Sequence, residues 1–122
     1  MANPNIVNVT SILGKTYANV ITTSNVLHLV NPASSGNIFK INSIVVSNVD
    51  GAAAADVTLE INNAAGDTTA YRLVSTVSVP ADATLIVTDK STSFYLEEDK
   101  SIKGFASASG DLEMVISYEI IT

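Results

Sequence analysis

Cysteine and tryptophan are both missing from this 122-residue chain, and charge is scarce. Without cysteine there is no disulfide to staple the fold and no thiolate to act as nucleophile or soft metal ligand, so stability has to come from packing. A chain of this length can supply that packing as one domain with its own core. Charged residues make up 15%, against about 25% in ordinary soluble domains. The twelve carboxylates outnumber the six Lys and Arg, for a formal net charge of −6. That balance lacks the basic footprint a nucleic-acid partner requires. Also missing is an apolar run of about 18 residues that would cross a membrane as a helix. The opening residues Met1-Ala2-Asn3-Pro4-Asn5 have neither the basic nor the apolar region of a secretory signal, so a soluble, unsecreted chain is expected. No window carries the i, i+3, i+4, i+7 stripe of an amphipathic helix, and the abundant Thr, Val, Ser and Asn disfavour one.

What is present is apolar and small: 47% of the residues are hydrophobic, and the mean hydropathy is +0.34. With so few charges to cover the outside, part of the surface is expected to be buried against other chains. Self-association is the simplest way to do this, and a homotrimer is favoured because cyclic closure would shelter edge strands.

The stretch from Asn37 to Leu73 sets the pattern for the rest. Its three apolar segments are separated by Val49-Asp50-Gly51 and Ala65-Gly66-Asp67, turn-forming clusters that predict a β-meander. Val57, Leu59 and Ile61 alternate with Asp56, Thr58, Glu60 and Asn62, which predicts a strand with one buried and one wet face. In the segment from Ile38 to Val49, contiguous Ile44-Val45-Val46 points either to a strand covered on both faces or to a bulge. The third segment, Thr68 to Val74, completes the meander.

Further extended segments are read at Lys15 to Thr23, Val26 to Val30, Ser75 to Val79, Thr84 to Thr88, Ser93 to Leu96 and Ser101 to Ser107. Asn31-Pro32-Ala33-Ser34-Ser35-Gly36 is a loop, and Pro80 cannot donate to a central ladder. The final strand is patterned best, with Leu112, Met114, Ile116, Tyr118 and Ile120 on one face. Buried positions are predicted at Val57, Leu59, Ile61, Leu112, Met114 and Ile116. Asn5 to Ile12 is either a first short strand or part of an arm, residues 1–12, that partners order. About eight to ten strands at 8–12-residue spacing predict an all-β chain, a single-domain two-sheet antiparallel sandwich of jelly-roll type spanning 1–122.

Candidate sites are few. His28 is the only histidine; acid–base work would need a carboxylate or nucleophile beside it, and a strand position with the ring on the wetter face is the better reading. Gly14-Lys15-Thr16 matches the end of a phosphate-binding loop, but Val9 stands where the first glycine belongs, so a turn opening the next strand is expected. Glu97-Glu98-Asp99 lacks the alternating spacing and glycine of a calcium loop and reads as solvated. Asn8-Val9-Thr10 fits a glycosylation sequon, which matters only in a secreted chain. Tyr17, Phe39, Tyr71, Phe94, Tyr95, Phe105 and Tyr118, about one per strand, read as core filling rather than as a carbohydrate platform. No catalytic, cofactor or metal site is expected.

Two phrases carry a likeness. Ile41-Asn42-Ser43-Ile44-Val45-Val46-Ser47-Asn48-Val49-Asp50-Gly51, followed by Ala54-Ala55-Asp56-Val57-Thr58, resembles small virion structural proteins of tailed bacteriophages, especially cyanophages. The stretch from Val77 to Leu85 and Tyr95-Leu96-Glu97-Glu98 look like later segments of the same family, whose acidic turn reads Leu-Glu-Glu-Gly-Asp. Here Asp99 and Lys100 stand in place of its Gly and Asp. The resemblance implies a virion component made in the host cytoplasm. A head decoration or cement protein, with the major capsid protein or other virion proteins as partners, comes first; a neck, tail or fibre-associated protein is second. A carbohydrate-binding module would instead show solvent-facing aromatics and a calcium site, and an enzyme would need a paired nucleophile and base.

Overall fold

The structure, a computed structural model, describes residues 4–63 and 69–122. The expected turn at Ala65-Gly66-Asp67, together with Thr68 and Met1 to Asn3, lies outside the described residues. Nine strands follow in order: β1 (Ile12–Ile21), β2 (Val26–Asn31), β3 (Ile38–Asn48), β4 (Ala55–Asn63), β5 (Tyr71–Val79), β6 (Thr84–Thr88), β7 (Phe94–Leu96), β8 (Lys100–Ala106) and β9 (Leu112–Ile121). A 3-10 turn, Lys90–Thr92, separates β6 from β7. Every strand pairing among the described residues is antiparallel. The first sheet has the order β1-β9-β3-β6, with β7 continuing along β3, and the second has the order β2-β8-β4-β5.

The pairs β1 with β9, β2 with β8, β3 with β6 and β7, and β4 with β5 are nested, so the chain is one long antiparallel ribbon that doubles back between β4 and β5. Rolling that ribbon until β9 meets β3 and β8 meets β4 produces the jelly roll, and the expected all-β sandwich is what forms.

The meander expectation holds only in its second half. β4 and β5 pair, but β3 and β4 belong to different sheets. The connection 49–54 crosses from one sheet to the other because its polar groups build a loop rather than a two-residue turn. Asn48 Oδ1 accepts from Asp50 N–H (2.9 Å) and Asp50 Oδ1 from Ala52 N–H (3.0 Å), while Gly51 stays out of the left-handed region. Asn48 is buried, and its amide donates to the carbonyls of Ala53 and Val79 (both 2.9 Å). Asn31 does the same where β2 leaves its sheet, donating to the carbonyls of Asn37 and Leu96 (both 3.0 Å) and accepting from Ser35 Oγ (2.6 Å). Two buried asparagines therefore pin two sheet crossings, each fully bonded as a buried amide must be.

Between the sheets lie Ile21, Ile41, Ile44, Val46, Val57, Leu59, Leu96, Ile102, Leu112, Met114 and Ile116, all almost fully buried. Five of the six predicted core positions are among them; Ile61 is half-buried at the rim. In β3 the bulge alternative is the one realised. The register against β9 shifts between Ile41 and Ser43, so Phe39 and Ile41 face inward before the shift and Ile44 and Val46 after it. Gly104 sits where β8 passes closest to β4, and a Cβ there would fall on the Leu59 side chain and within 2.8 Å of the Thr58 carbonyl oxygen.

Three local expectations need correction. Residues 4–11 form turns and bends rather than a strand, because Thr10 and Ser11 both donate to the Thr122 carbonyl (2.7 and 3.3 Å) and pairing proper begins at Ile12. Gly14-Lys15-Thr16 lies inside β1, opposite Glu119, Tyr118 and Ser117, and opens no turn. The outer face of β4 is not wet: Thr58, Glu60 and Asn62 are all buried. β4 runs between β8 and β5, and neighbouring side chains lie across that face.

Candidate functional site

His28 occupies a bulge. Leu27 pairs with Lys103 and Leu29 with Ile102, leaving His28 as the extra residue. The bulge turns its ring inward, so His28 is buried rather than set on the wetter face. Asn19 Nδ2 donates to Tyr17 Oη (3.1 Å), which leaves the phenol hydrogen free to go to His28 Nδ1 (3.0 Å). The ring is then the neutral tautomer with its proton on Nε2, and Nε2 is buried without a partner of normal hydrogen-bond geometry. Burial pushes the His28 pKa below 6.5, partly offset by the Gly104 backbone. The rings of Tyr17 and His28 meet edge to face, 6.1 Å apart. This chain of side chains ties β1 of one sheet to β2 of the other, and it contains no carboxylate and no nucleophile.

Glu97-Glu98-Asp99 leads into β8 and is solvated only in part, since Glu97 and Asp99 are exposed but both carboxylate oxygens of Glu98 are buried. Asp99 takes the left-handed conformation, φ 62°, at the position where the resembling family has glycine, and its N–H donates to the Asn31 carbonyl (2.9 Å). Among the described residues no group of three or more His, Cys, Asp or Glu is placed to hold a metal ion. Asn8 of the sequon lies in an exposed turn. The aromatics divide: Phe39 is buried 5.4 Å from Tyr118, and Tyr17, Phe94 and Tyr118 pack on the core. Tyr71 and Tyr95 are exposed, against the core-filling expectation, because β5 and β7 are rim strands. They belong to different sheets and form no single platform.

The structure gathers something the sequence reading did not nominate. Among the described residues, exposed large apolar side chains gather on the first sheet's edge, at Ile12, Leu13 and Val20 on β1 and Val115 on adjacent β9, with Ile86 on β6 of the same sheet. Tyr17 and Ile21 turn toward the core, so the even-numbered residues of β1 face outward. In register, Ala18, Val115, Val45 and Ile86 then form an apolar row across β1, β9, β3 and β6 on the first sheet's outer face. A shallow depression of about 270 Å³ opens between β1 and β9, lined by Ala18, Asn19, Val20, Glu113, Met114 and Val115. The signal was present in the odd spacing of Val45 and Val115, but only the register shows that they meet.

The second sheet's outer face is closed by polar pairs at its centre, with exposed Leu27 at the β2 edge. Glu60 is buried there, accepting from Arg72 Nε and Asn25 Nδ2 (both 2.9 Å). Thr58 Oγ1 accepts from Thr76 N–H (2.9 Å), at a β5 residue held at φ 51°. These polar groups find their partners within the chain.

No protein-family model matches the sequence, and no curated protein does. A solved structure from the endospore appendages of Bacillus, described as a novel family of disulfide-linked pili, superimposes on 100% of this chain and 94% of its own. The TM-score is 0.52 and the identity 14%. At that identity the likeness is one of fold.

Proposed function

We propose that this chain is a structural subunit that works by non-covalent assembly, with copies of itself and with neighbouring proteins, and performs no chemistry. The observation that carries this reading is the concentration of exposed apolar side chains on β1 and β9 of the first sheet, while the centre of the second sheet's outer face is closed by its own polar pairs. Burying that side against another chain is favourable by roughly 25 cal/mol per Å² of apolar surface. The structurally similar chain comes from pili, a self-built material, which supports a structural role. Those pili are described as disulfide-linked, and this chain has no cysteine, so its contacts would rest on packing and strand pairing.

Within that class the phage-like phrases favour a virion, with decoration or cementing of the head as the role and the major capsid protein as the partner. Binding to assembled shells but not to free subunits would stabilise only the shell, and many copies would multiply a modest contact energy. A neck, tail or fibre position is the second reading. Particles carrying the protein and particles stripped of it should be heated side by side. Earlier genome release from stripped particles, with hundreds of copies per intact particle, is expected; equal melting would overturn the cement role, and about a dozen copies would move the protein to the neck or tail.

A further inference from the structure

The four sheet edges are not equivalent. β2 is bulged at His28. β5 breaks register opposite Leu59, and its Thr76 N–H is already taken by Thr58. The β6–β7 edge is interrupted by the 3-10 turn Lys90–Thr92, its strands five and three residues long. Bulges, interruptions and short strands are the devices that keep an edge from pairing. β1 has none of them: its ten residues run in unbroken register with β9, and Lys15 is its only charge.

We propose that β1 pairs antiparallel with β1 of a second copy about a twofold axis through Thr16, joining the two first sheets into one. This rests on the assembly reading above and names its surface. A self-complementary strand meeting its own copy is the simplest closed contact. Directly opposed residues share a face, so Ile12, Gly14, Thr16, Ala18 and Val20 must meet one another, which restricts the axis. An axis on Lys15 would oppose two ammonium groups. One on Tyr17 would set Ile12 against Thr22 and Val20 against Gly14.

The axis on Thr16 places Ile12 of each copy against Val20 of the other, two exposed apolar residues (56% and 38% accessible). Ile12 then lands beside the depression lined by Ala18, Val20 and Val115. Lys15 falls opposite Tyr17, away from its own copy. Asn19 Oδ1 currently accepts from Val20 N–H (2.8 Å), a local bond that the incoming strand would displace. A ring built by edge pairing would need a second open edge on each copy, and the bulged and interrupted edges do not offer one.

The absence of cysteine makes the test clean. On the axis, two copies of residue 16 would have Cα atoms about 4.5–5.5 Å apart, within the range a disulfide bridges. Thr16→Cys should convert to a covalent dimer under mild oxidation while Ile86→Cys, on the β6 edge, stays monomeric. Val20→Lys should weaken association of the cysteine-free chain about tenfold or more, with the monomer's melting unchanged. If the wild-type chain associates but Thr16→Cys does not cross-link, another surface is used and this inference falls while the assembly reading stands. Cross-linking of Thr16→Cys to Val7→Cys in a mixture, without Thr16 homodimers, would make the N-terminal segment the occupant and also overturn it. A wild-type chain that is monomeric at several hundred micromolar would overturn both.

Discussion

The outer faces of the two sheets invert what their strands would ordinarily show. On the second sheet, polar residues are buried: Glu60 under Arg72 and Asn25, and Thr58 bonded to the bulged backbone of β5. On the first, apolar residues are exposed: Val115, Ile86 and Val20. One face is closed by the chain's own polar pairs, and the other presents apolar side chains to solvent. The same contrast holds at the edges, where β2 and β5 are bulged and β1 is not.

Substitutions can sharpen that contrast. The largest effect should come from the shared core, where Leu59→Ala removes a fully buried side chain and should cost about 2–5 kcal/mol in denaturant titration through transfer and cavity terms. Next is the closed face. Arg72→Ala removes one of the two donors to the buried Glu60 carboxylate and leaves Asn25 to hold it, and should cost about 1–2 kcal/mol, discounted because Arg72 is half exposed. On the open face, Val115→Thr should change monomer stability by less than about 0.5 kcal/mol. Equal losses for Arg72→Ala and Val115→Thr would erase the distinction.

The strap between the sheets gives a pH signature. Burial holds the His28 pKa below its unfolded value of 6.5, so the unfolded chain binds more protons between the two values. The stabilisation is complete above pH 6.5 and is lost as pH falls from there toward the folded pKa. His28→Gln should flatten the slope of stability against pH in that window; an unchanged slope would mean the imidazole is not the titrating group. The smallest effect is at Asp99, whose left-handed backbone suits glycine better. Asp99→Gly should raise stability by at most about 1 kcal/mol, the relief of strain being partly offset by added freedom in the unfolded chain.

Much of the fold was legible because strand alternation and turn residues are local signals. Leu112, Met114 and Ile116 announce a buried face, whereas Ile44-Val45-Val46 is compatible with either a doubly covered strand or a bulge, and only the register shift between Ile41 and Ser43 decides for the bulge. The crossing after Asn48 was not legible as such, because Asp50-Gly51 between apolar runs looks the same whether the next strand pairs or changes sheet. Burial of Glu60 is not visible in the local pattern because it depends on Asn25, which is 35 residues away in sequence. His28 falls on the wetter face by simple alternation for a related reason: the single-residue bulge between Leu27 and Leu29 reverses the parity. The open side was hidden in the same way, since Val115 and Val20 look like ordinary strand residues until β1 proves to be an unprotected edge.

Hydrogen exchange of the wild-type chain at two concentrations tests the central claim most directly. In the dilute chain, backbone amides on the free side of β1 should exchange quickly, whereas those on the bonded side pair with β9. In the concentrated chain, protection should rise over residues 12–20 and spread little beyond β1 and the adjoining part of β9. Protection that is independent of concentration, or that appears instead on β5 or β6, would contradict the account.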